Sequence, residues 1–280
     1  MDGPSLYTYS TYRCSKVITQ LYSTSFSWGI RSFDKNLRFP IYAIYAFVRY
    51  ADEIVDSFEG CDKRVVISTF RSDTMLAISR RLSMNPVLQA FQDTVNRYGI
   101  DQSFIDAFFR SMECDLDQKS FSRKAYDDYI YGSAEVIGLM CLRIFCPDDQ
   151  KFRELSAPAS RLGAAFQKVN FLRDFRSDFV ERERVYFPGL NYNTFDDAAK
   201  KAVEEEIAAD FKAGLEGIAK LPKGFRRGVY VAYVYYRALF KKLERASAEQ
   251  IKAGRIRIPN GTKLALMCSA IMRDRLKQYA

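Results

Sequence analysis

Apolar residues recur along most of this chain at the three- and four-residue spacing of a helix face. The clearest run covers 37–58, where Ile41, Ile44, Val48, Ala51 and Val55 share one side. Comparable patterns predict helices over 63–82, 85–97, 101–117, 123–145, 149–180, 196–219, 226–245 and 263–279. "MNPV" and "CPDD" read as helix starts, with Pro86 and Pro147 near the first turn. "YGID" and "LPKG" read as turns between helices. No stretch alternates as a strand would, and no repeat of domain-building length is visible. The expected architecture is one all-α domain over 1–280. Its one long irregular stretch is "ERERVYFPGLNYNTFDD", 181–197. A loop of that length inside a helical domain is either a lid over a site or a solvated connector.

Composition narrows the chemistry. Apolar residues make up 48%, enough for a large core, and Gly (14) and Pro (8) are scarce, which favours long helices. The chain has no histidine, which excludes Ser-His-Asp and Cys-His hydrolysis and most zinc sites. Any catalysis must rest on carboxylates, cations, hydroxyls, thiols or an oxygen-bound metal. The net charge of +9 suits an anionic partner: nucleic acid, a phosphorylated ligand or a membrane surface. The basic residues are dispersed among acids, with no concentrated stripe, so no nucleic-acid partner is expected. The cysteines Cys14, Cys61, Cys114, Cys141, Cys146 and Cys268 form no C-x-x-C pair. They read as reduced, mostly packed thiols of a cytosolic protein. The opening "MDGPSLYTYSTYRCSK" lacks the apolar core of a signal peptide, and no stretch is apolar enough to span a bilayer. A soluble or peripheral protein is expected, cytoplasmic or docked at the inner face of the membrane.

Two carboxylate clusters stand out. In "YAFVRYADEIVDSF", Tyr45, Arg49, Asp52 and Asp56 fall within about 40° of one another on a helix. In "FQKVNFLRDFRSDF", Gln167, Asn170, Asp174 and Asp178 lie within roughly 80°. A single D-x-x-x-D is usually a solvated face, and Arg49 beside it an ordinary ion-pair partner. Two such pairs in apolar surroundings point further. The donor set is all oxygen, which suits Mg²⁺ and suits zinc poorly. Two such helices facing each other would make a cation-loaded pocket for diphosphate, with Arg49, Arg173 and Arg184 neutralising the remaining charge.

"YSTSFSWGIR", "YAIYAFVRYADEIVD", "QKVNFLRDFRSD" and "RVYFPG" resemble the ordered motifs of the squalene and phytoene synthase family, most nearly its bacterial phytoene synthases. The resemblance covers about 14–263. It implies an isoprenoid synthase fold, helices around a central cavity with two facing aspartate-rich helices. It implies that Asp52 and Asp56 form one metal-binding pair, and Asn170, Asp174 and Asp178 the second. It assigns Arg49 and Arg173 to the diphosphate, and Ser23, Ser25 and Phe26 to the segment closing over substrate. It places Tyr45, Gln167, Tyr131, Tyr186 and Tyr236 along the site, Tyr236 among the catalytic groups, and Arg255 as a further diphosphate contact. The bland readings stay open: core aromatics, serine N-caps, a surface Arg255. The spacing from Asp178 to Arg184 is one residue longer than the family's usual, which leaves the register of Arg182 and Arg184 unsettled. Glu53 lies off the stripe, a neighbour of the metal ligands or a partner for Arg49.

The activity implied is head-to-head condensation of two allylic isoprenoid diphosphates with Mg²⁺, Mn²⁺ being a possible substitute. Joining two geranylgeranyl diphosphates would give phytoene through a cyclopropylcarbinyl diphosphate, the first committed step of carotenoid synthesis, with no NADPH. Dehydrosqualene or squalene synthesis from farnesyl diphosphate is the alternative. A non-catalytic helical relative acting as an assembly factor is the rival of another class. "TKLALMCSAIMRDRLKQYA" is too short and charged for a membrane anchor, so contact with lipid would be peripheral. Oligomeric state is not legible.

Overall fold

The computed structural model describes residues 3–276 and residue 279. Helices α1 (Gly3–Tyr22), α2 (Thr24–Arg31), α3 (Lys35–Asp56), α4 (Lys63–Arg80), α5 (Pro86–Tyr98) and α6 (Gln102–Cys114) form the first half. Then come α7 (Arg123–Ile130), a π-helical turn (Tyr131–Glu135) and α8 (Val136–Phe145). The long α9 (Asp149–Arg182) is followed by α10 (Asp197–Lys220), α11 (Lys223–Arg245), the short α12 (Ala248–Ala253) and α13 (Asn260–Leu276). The described residues contain no strand beyond one isolated bridge, Ser120 with Val185. No helix among them is long and apolar enough to cross a membrane.

Side chains fix many helix starts. Ser23 accepts from the Phe26 amide, Asn85 from Val87 and Leu88, Asp148 from Lys151, and Ser247 closes a capping box with Gln250. Each satisfies amides that a helix N-terminus leaves without partners.

The predicted helix near the start, 37–58, is α3, and the other predicted helices lie within a few residues of observed ones. Helix α1 was absent from the pattern for a physical reason. Its buried face is Thr11, Tyr12, Ser15 and Thr19, hydroxyl-bearing rather than aliphatic. Ser15 and Thr19 donate back to the carbonyls of Thr11 and Ser15, so the buried hydroxyls are satisfied within the helix. Of the last predicted helix, residues 277 and 278 lie outside the described residues.

Two hydrophobic cores flank a cavity. One gathers Phe47, Phe91, Phe108 and Ile67 from α3–α6 together with residues of α8. The other gathers Phe171, Phe175, Phe211, Tyr230 and Phe240 from α9–α11, with Ile251 and Ala270 of α12 and α13. Helix α3 packs chiefly on α1, α4 and α5, and α9 on α8 and α10. A cavity of about 1090 Å³ opens between α3 and α9.

Two expectations need correction. Residues 183–196 are neither lid nor solvated connector. Arg184, Val185, Tyr186, Phe187 and Phe195 are buried in the second core. The Val185 amide donates to Lys119, and Phe195 meets Phe175 at 4.2 Å. The aromatics that made the stretch look like a flap instead nail it down. The cysteines are unpaired, but Cys14, Cys61 and Cys268 are exposed, so only Cys114, Cys141 and Cys146 fit the packed-thiol reading. The predicted helix 123–145 is present, with the π turn inside it. There Gly132 meets α6 so closely that a Cβ would stand 2.4 Å from the Ala107 carbonyl oxygen.

That contact yields a prediction. Gly132→Ala forces α6 and the π turn apart and is expected to cost roughly 1–3 kcal/mol. A thermal melt followed by circular dichroism reads it, and an unchanged midpoint would show that the two backbones separate freely.

Candidate active site

Helix α3 turns a graded stripe into the cavity: Ile41, Ile44, Tyr45, Val48, Arg49, Asp52, Asp56. It runs from apolar at the N-terminal end to charged at the C-terminus. Helix α9 repeats the gradient, from Leu155, Leu162 and Phe166 to Asn170, Asp174 and Asp178. At 1.5 Å per residue, Ile41 to Asp56 spans about 22 Å. The cavity is thus polar at one end and greasy along its length. Its polar end lies where both helices finish, and helix C-termini carry partial negative charge. Carboxylates there are doubly disfavoured unless a cation joins them.

Arginines take that place. Arg182 reaches Asp56 at 3.2 Å on α3 and Asp178 at 2.9 Å on α9, so one guanidinium bridges the two aspartate pairs. Asp174 is held by Arg173 at 3.0 Å and by Arg255 at 2.7 Å. Asp52 has no ion pair among the described residues. Burial, and then Asp56, push its carboxyl up to about 7. Burial, and then Asp174, push Asp178 up to about 7 as well.

The arginines are also strained. Arg49 pairs with Glu53 one turn on and lies over the Tyr22 ring at 4.5 Å, yet its buried Nε has no partner. Glu53 is therefore the ion partner of Arg49. Burial and the neighbouring Arg173 hold Arg255 below the usual arginine range. A buried donor without an acceptor and cations crowded together are what a polyanion such as diphosphate relieves.

The metal question turns on the donor set. No three acidic or thiol side chains among the described residues converge closely enough to cage an ion alone. Magnesium held through one or two carboxylates, and completed by water and phosphate oxygens, needs no such cage. Asp52 and Asp56 on one side and Asn170, Asp174 and Asp178 on the other fit that description, since every one offers an oxygen donor.

An aromatic wall stands beside the polar end. Phe26 of α2 contacts Tyr45 at 5.5 Å and Tyr236 at 6.2 Å, and Phe166 stacks on Tyr236 at 4.1 Å. Burial pushes Tyr236 up to about 12, so it stays neutral and its hydroxyl points at Asn170, 3.4 Å away. Gln167 reaches Ser133 at 3.4 Å. Ser23 both caps α2 and lines the cavity, and Ser25 lines it too. Tyr186 lines it while stacking on Phe171 at 3.9 Å.

Tyr131 is a correction. It is 40% exposed and lies outside the cavity lining. Tyr129, two residues earlier and on nearly the opposite face, lines the cavity together with Ser133. The register question also resolves. Helix α9 ends at Arg182, and Glu183 turns the chain with φ +52 in the left-handed region. Arg182 thereby stays on the aspartate face. Arg184 is carried away to pair with buried Asp115 at 2.8 Å and to donate to Tyr186 at 2.7 Å. It braces the wall rather than facing the aspartates. Asp115, pushed up to about 6 by burial, also accepts from Tyr129 at 2.8 Å. Sequence reading missed Asp115, Tyr129 and the bridging role of Arg182. Only Arg182 carried a signal, its i+4 spacing from Asp178.

Two expectations follow. Arg182→Gln removes the bridging cation, so metal-free protein should lose roughly 1–2 kcal/mol of stability. Magnesium should narrow that gap, and calorimetry should show tighter magnesium binding; a variant as stable as wild type in EDTA would refute the bridge. The second concerns pH. Asp52 and Asp178 have raised pKa values in the folded chain, so their contribution is present below the ordinary carboxylate range and lost as pH rises through about 7. Metal-free protein should melt lower at pH 8 than at pH 6, with magnesium flattening the slope. A midpoint that climbs over that interval would show that neither carboxyl is raised.

Comparison with known proteins accords with this geometry. The squalene/phytoene synthase family model matches residues 19–262. A phytoene synthase of Arthrospira platensis is 26% identical, covering 95% of this chain and 94% of its own. A 4,4'-diapophytoene synthase of Staphylococcus haemolyticus is 24% identical over 71% of this chain and 70% of its own. Among solved structures, a dehydrosqualene synthase with bound ligand superposes with a TM-score of 0.83 at 20% identity, covering 99% of this chain and all of that one. The fold is that of the isoprenoid synthases, and the chain belongs to the squalene/phytoene synthase family, whose members are prenyl-transferring enzymes.

Proposed function

We propose that this chain joins two geranylgeranyl diphosphates head to head to give phytoene. The observation that carries the reading is the pairing of two aspartate motifs at one end of a cavity whose remaining walls are largely apolar. The diphosphate of one substrate is taken by Arg49, Arg173 and Arg255. Asp52, Asp56, Asn170, Asp174 and Asp178 are the residues that would hold magnesium, which when bound supplies charge to stabilise diphosphate as a leaving group. Manganese is expected to substitute.

In the first half-reaction the allylic C–O bond breaks and diphosphate leaves. The double bond of the second substrate attacks the allylic cation, and loss of one proton closes the cyclopropane of the intermediate diphosphate. In the second, that diphosphate leaves, the skeleton rearranges, and loss of a second proton gives the linear triene. No hydride is added, so NADPH is not required. Phe26, Tyr45, Phe166 and Tyr236 flank the ionising carbon, where ring faces stabilise positive charge and apolar walls exclude water. The absence of histidine is consistent with a barrier lowered by electrostatics rather than by an imidazole base.

Farnesyl diphosphate is the competing substrate, and the 4,4'-diapophytoene synthase relative keeps it in view. The apolar lining of α9 from Leu155 to Phe166, about 16 Å long, and the cavity volume favour the longer chain. An assembly factor without catalysis would have no use for four aspartates converging on one mouth.

The test is direct. Purified protein with Mg²⁺ and geranylgeranyl diphosphate, without NADPH, is expected to yield a forty-carbon hydrocarbon by liquid chromatography. Asp52→Ala and Asp174→Ala should each lower the rate by roughly 10³-fold or more while circular dichroism stays helical. A thirty-carbon product only from farnesyl diphosphate would move the assignment to dehydrosqualene, and no product from either substrate would remove the synthase reading.

A further inference from the structure

The cavity has an outer neighbour. Trp28, Phe33 and Met267 line it on one side and line a shallow external cleft on the other. The cleft is rimmed by Arg31, Lys35, Arg38, Arg227 and Arg275 against a single acid, Asp34. Arg227 is drawn to buried Asp274 at 3.4 Å, and Arg38 donates to the Phe33 carbonyl at 2.8 Å. Arg31, Lys35 and Arg275 are exposed and have no ion pair among the described residues.

Helix α13 forms the far bank, and its polarity is inverted. Its inner face carries buried Asp274, held by Arg226 at 3.0 Å, and buried Ala270. Its outer face carries Leu264, Cys268, Met272 and Leu276, all exposed and four residues apart. Residues at that spacing share one face. Met272 and Leu276 are more than three-fifths exposed. Because the ion pair and the packing on α11 fix the helix, the apolar row is held outward by the fold.

We propose that α13, with α2 and the start of α3, is a docking surface for an anionic bilayer. The row Leu264, Met272, Leu276 enters the boundary between headgroups and acyl chains, and Arg31, Lys35, Arg38 and Arg275 meet lipid phosphates. A nucleic acid would satisfy the cations but leave the aliphatic row in water. A neutral bilayer would satisfy the row but not the cations. The shared wall of Trp28, Phe33 and Met267 gives an apolar product a path from cavity to lipid that avoids water. That last role rests on the synthase reading, whereas docking does not.

Sedimentation with vesicles tests docking without substrate. The protein should sediment with phosphatidylglycerol vesicles and stay in solution with phosphatidylcholine vesicles. The R31Q/K35Q variant should bind the anionic vesicles roughly thirtyfold more weakly. The M272E/L276E variant should lose at least about tenfold, with circular dichroism and turnover on detergent-dispersed substrate unchanged. Equal binding by wild type and both variants, no binding of wild type to either vesicle, or preference for single-stranded RNA over anionic vesicles would overturn the proposal. Failure of turnover with docking intact would instead strike only the synthase reading.

Discussion

The architecture depends on an unresolved charge problem. Two helices end at one mouth, and both bring carboxylates to termini that are already negative. In a cavity with apolar walls such charges repel strongly and are poorly solvated. Without ligand the chain answers with arginine. Arg182 spans the two helices, and Arg173 with Arg255 covers Asp174. The answer is partial, since Asp52 has no ion pair among the described residues and Arg49 keeps a buried Nε without a partner.

This arrangement survives because the scaffold around it is overdetermined. Phe47 and Phe91 stack at 3.7 Å in the core behind α3. Behind α9, Lys168 pairs with Asp210 at 2.6 Å and ties it to α10. The strap at 183–196, which sequence alone left open as a lid, is locked by its own aromatics and by the Arg184–Asp115 pair. Rigid helices on both sides hold the acids apart and keep the space between them from collapsing. The same helices set the gradient, since each carries its apolar half deeper and its charged half at the rim.

How much of this was legible in the sequence follows from which interactions are local. Helices with aliphatic faces announced themselves by period, and the two D-x-x-x-D stripes did so by angle. The pairing of Glu53 with Arg49 is local, one turn apart on the same helix, so sequence could offer it as one of two readings, and the structure selects it. Helix α1 was hidden because hydroxyls, satisfied by their own backbone, fill its buried face. Tyr131 was read as lining the cavity in place of Tyr129 because the π turn begins at Tyr131, and that turn depends on a contact between Gly132 and the carbonyl of Ala107 on another helix. Asp115 was invisible for the same reason: its partners Tyr129 and Arg184 come from separate segments. The inserted residue before Arg184 could be read as an extra position, but not as a left-handed turn that keeps Arg182 facing the acids.

The charge arithmetic at the mouth constrains how ligands enter. With Arg49 and Glu53 set aside as a pair, Asp52, Asp56, Asp174 and Asp178 stand against Arg173, Arg182 and Arg255, so the acids exceed the cations by one. A divalent cation alone would have to displace Arg182 and leave excess positive charge. Diphosphate alone would meet free arginine donors but also the facing carboxylates. On the proposed reading the two together would offset each other, magnesium meeting the acids and the phosphate oxygens meeting the arginines. Coupling of that kind makes each ligand strengthen the other, and by linkage the effect is equal in both directions. Release reverses the logic. On the proposed reading, loss of diphosphate and magnesium would let Arg182 fall back between Asp56 and Asp178, where the structure holds it, and the hydrocarbon would leave along the apolar length of the cavity.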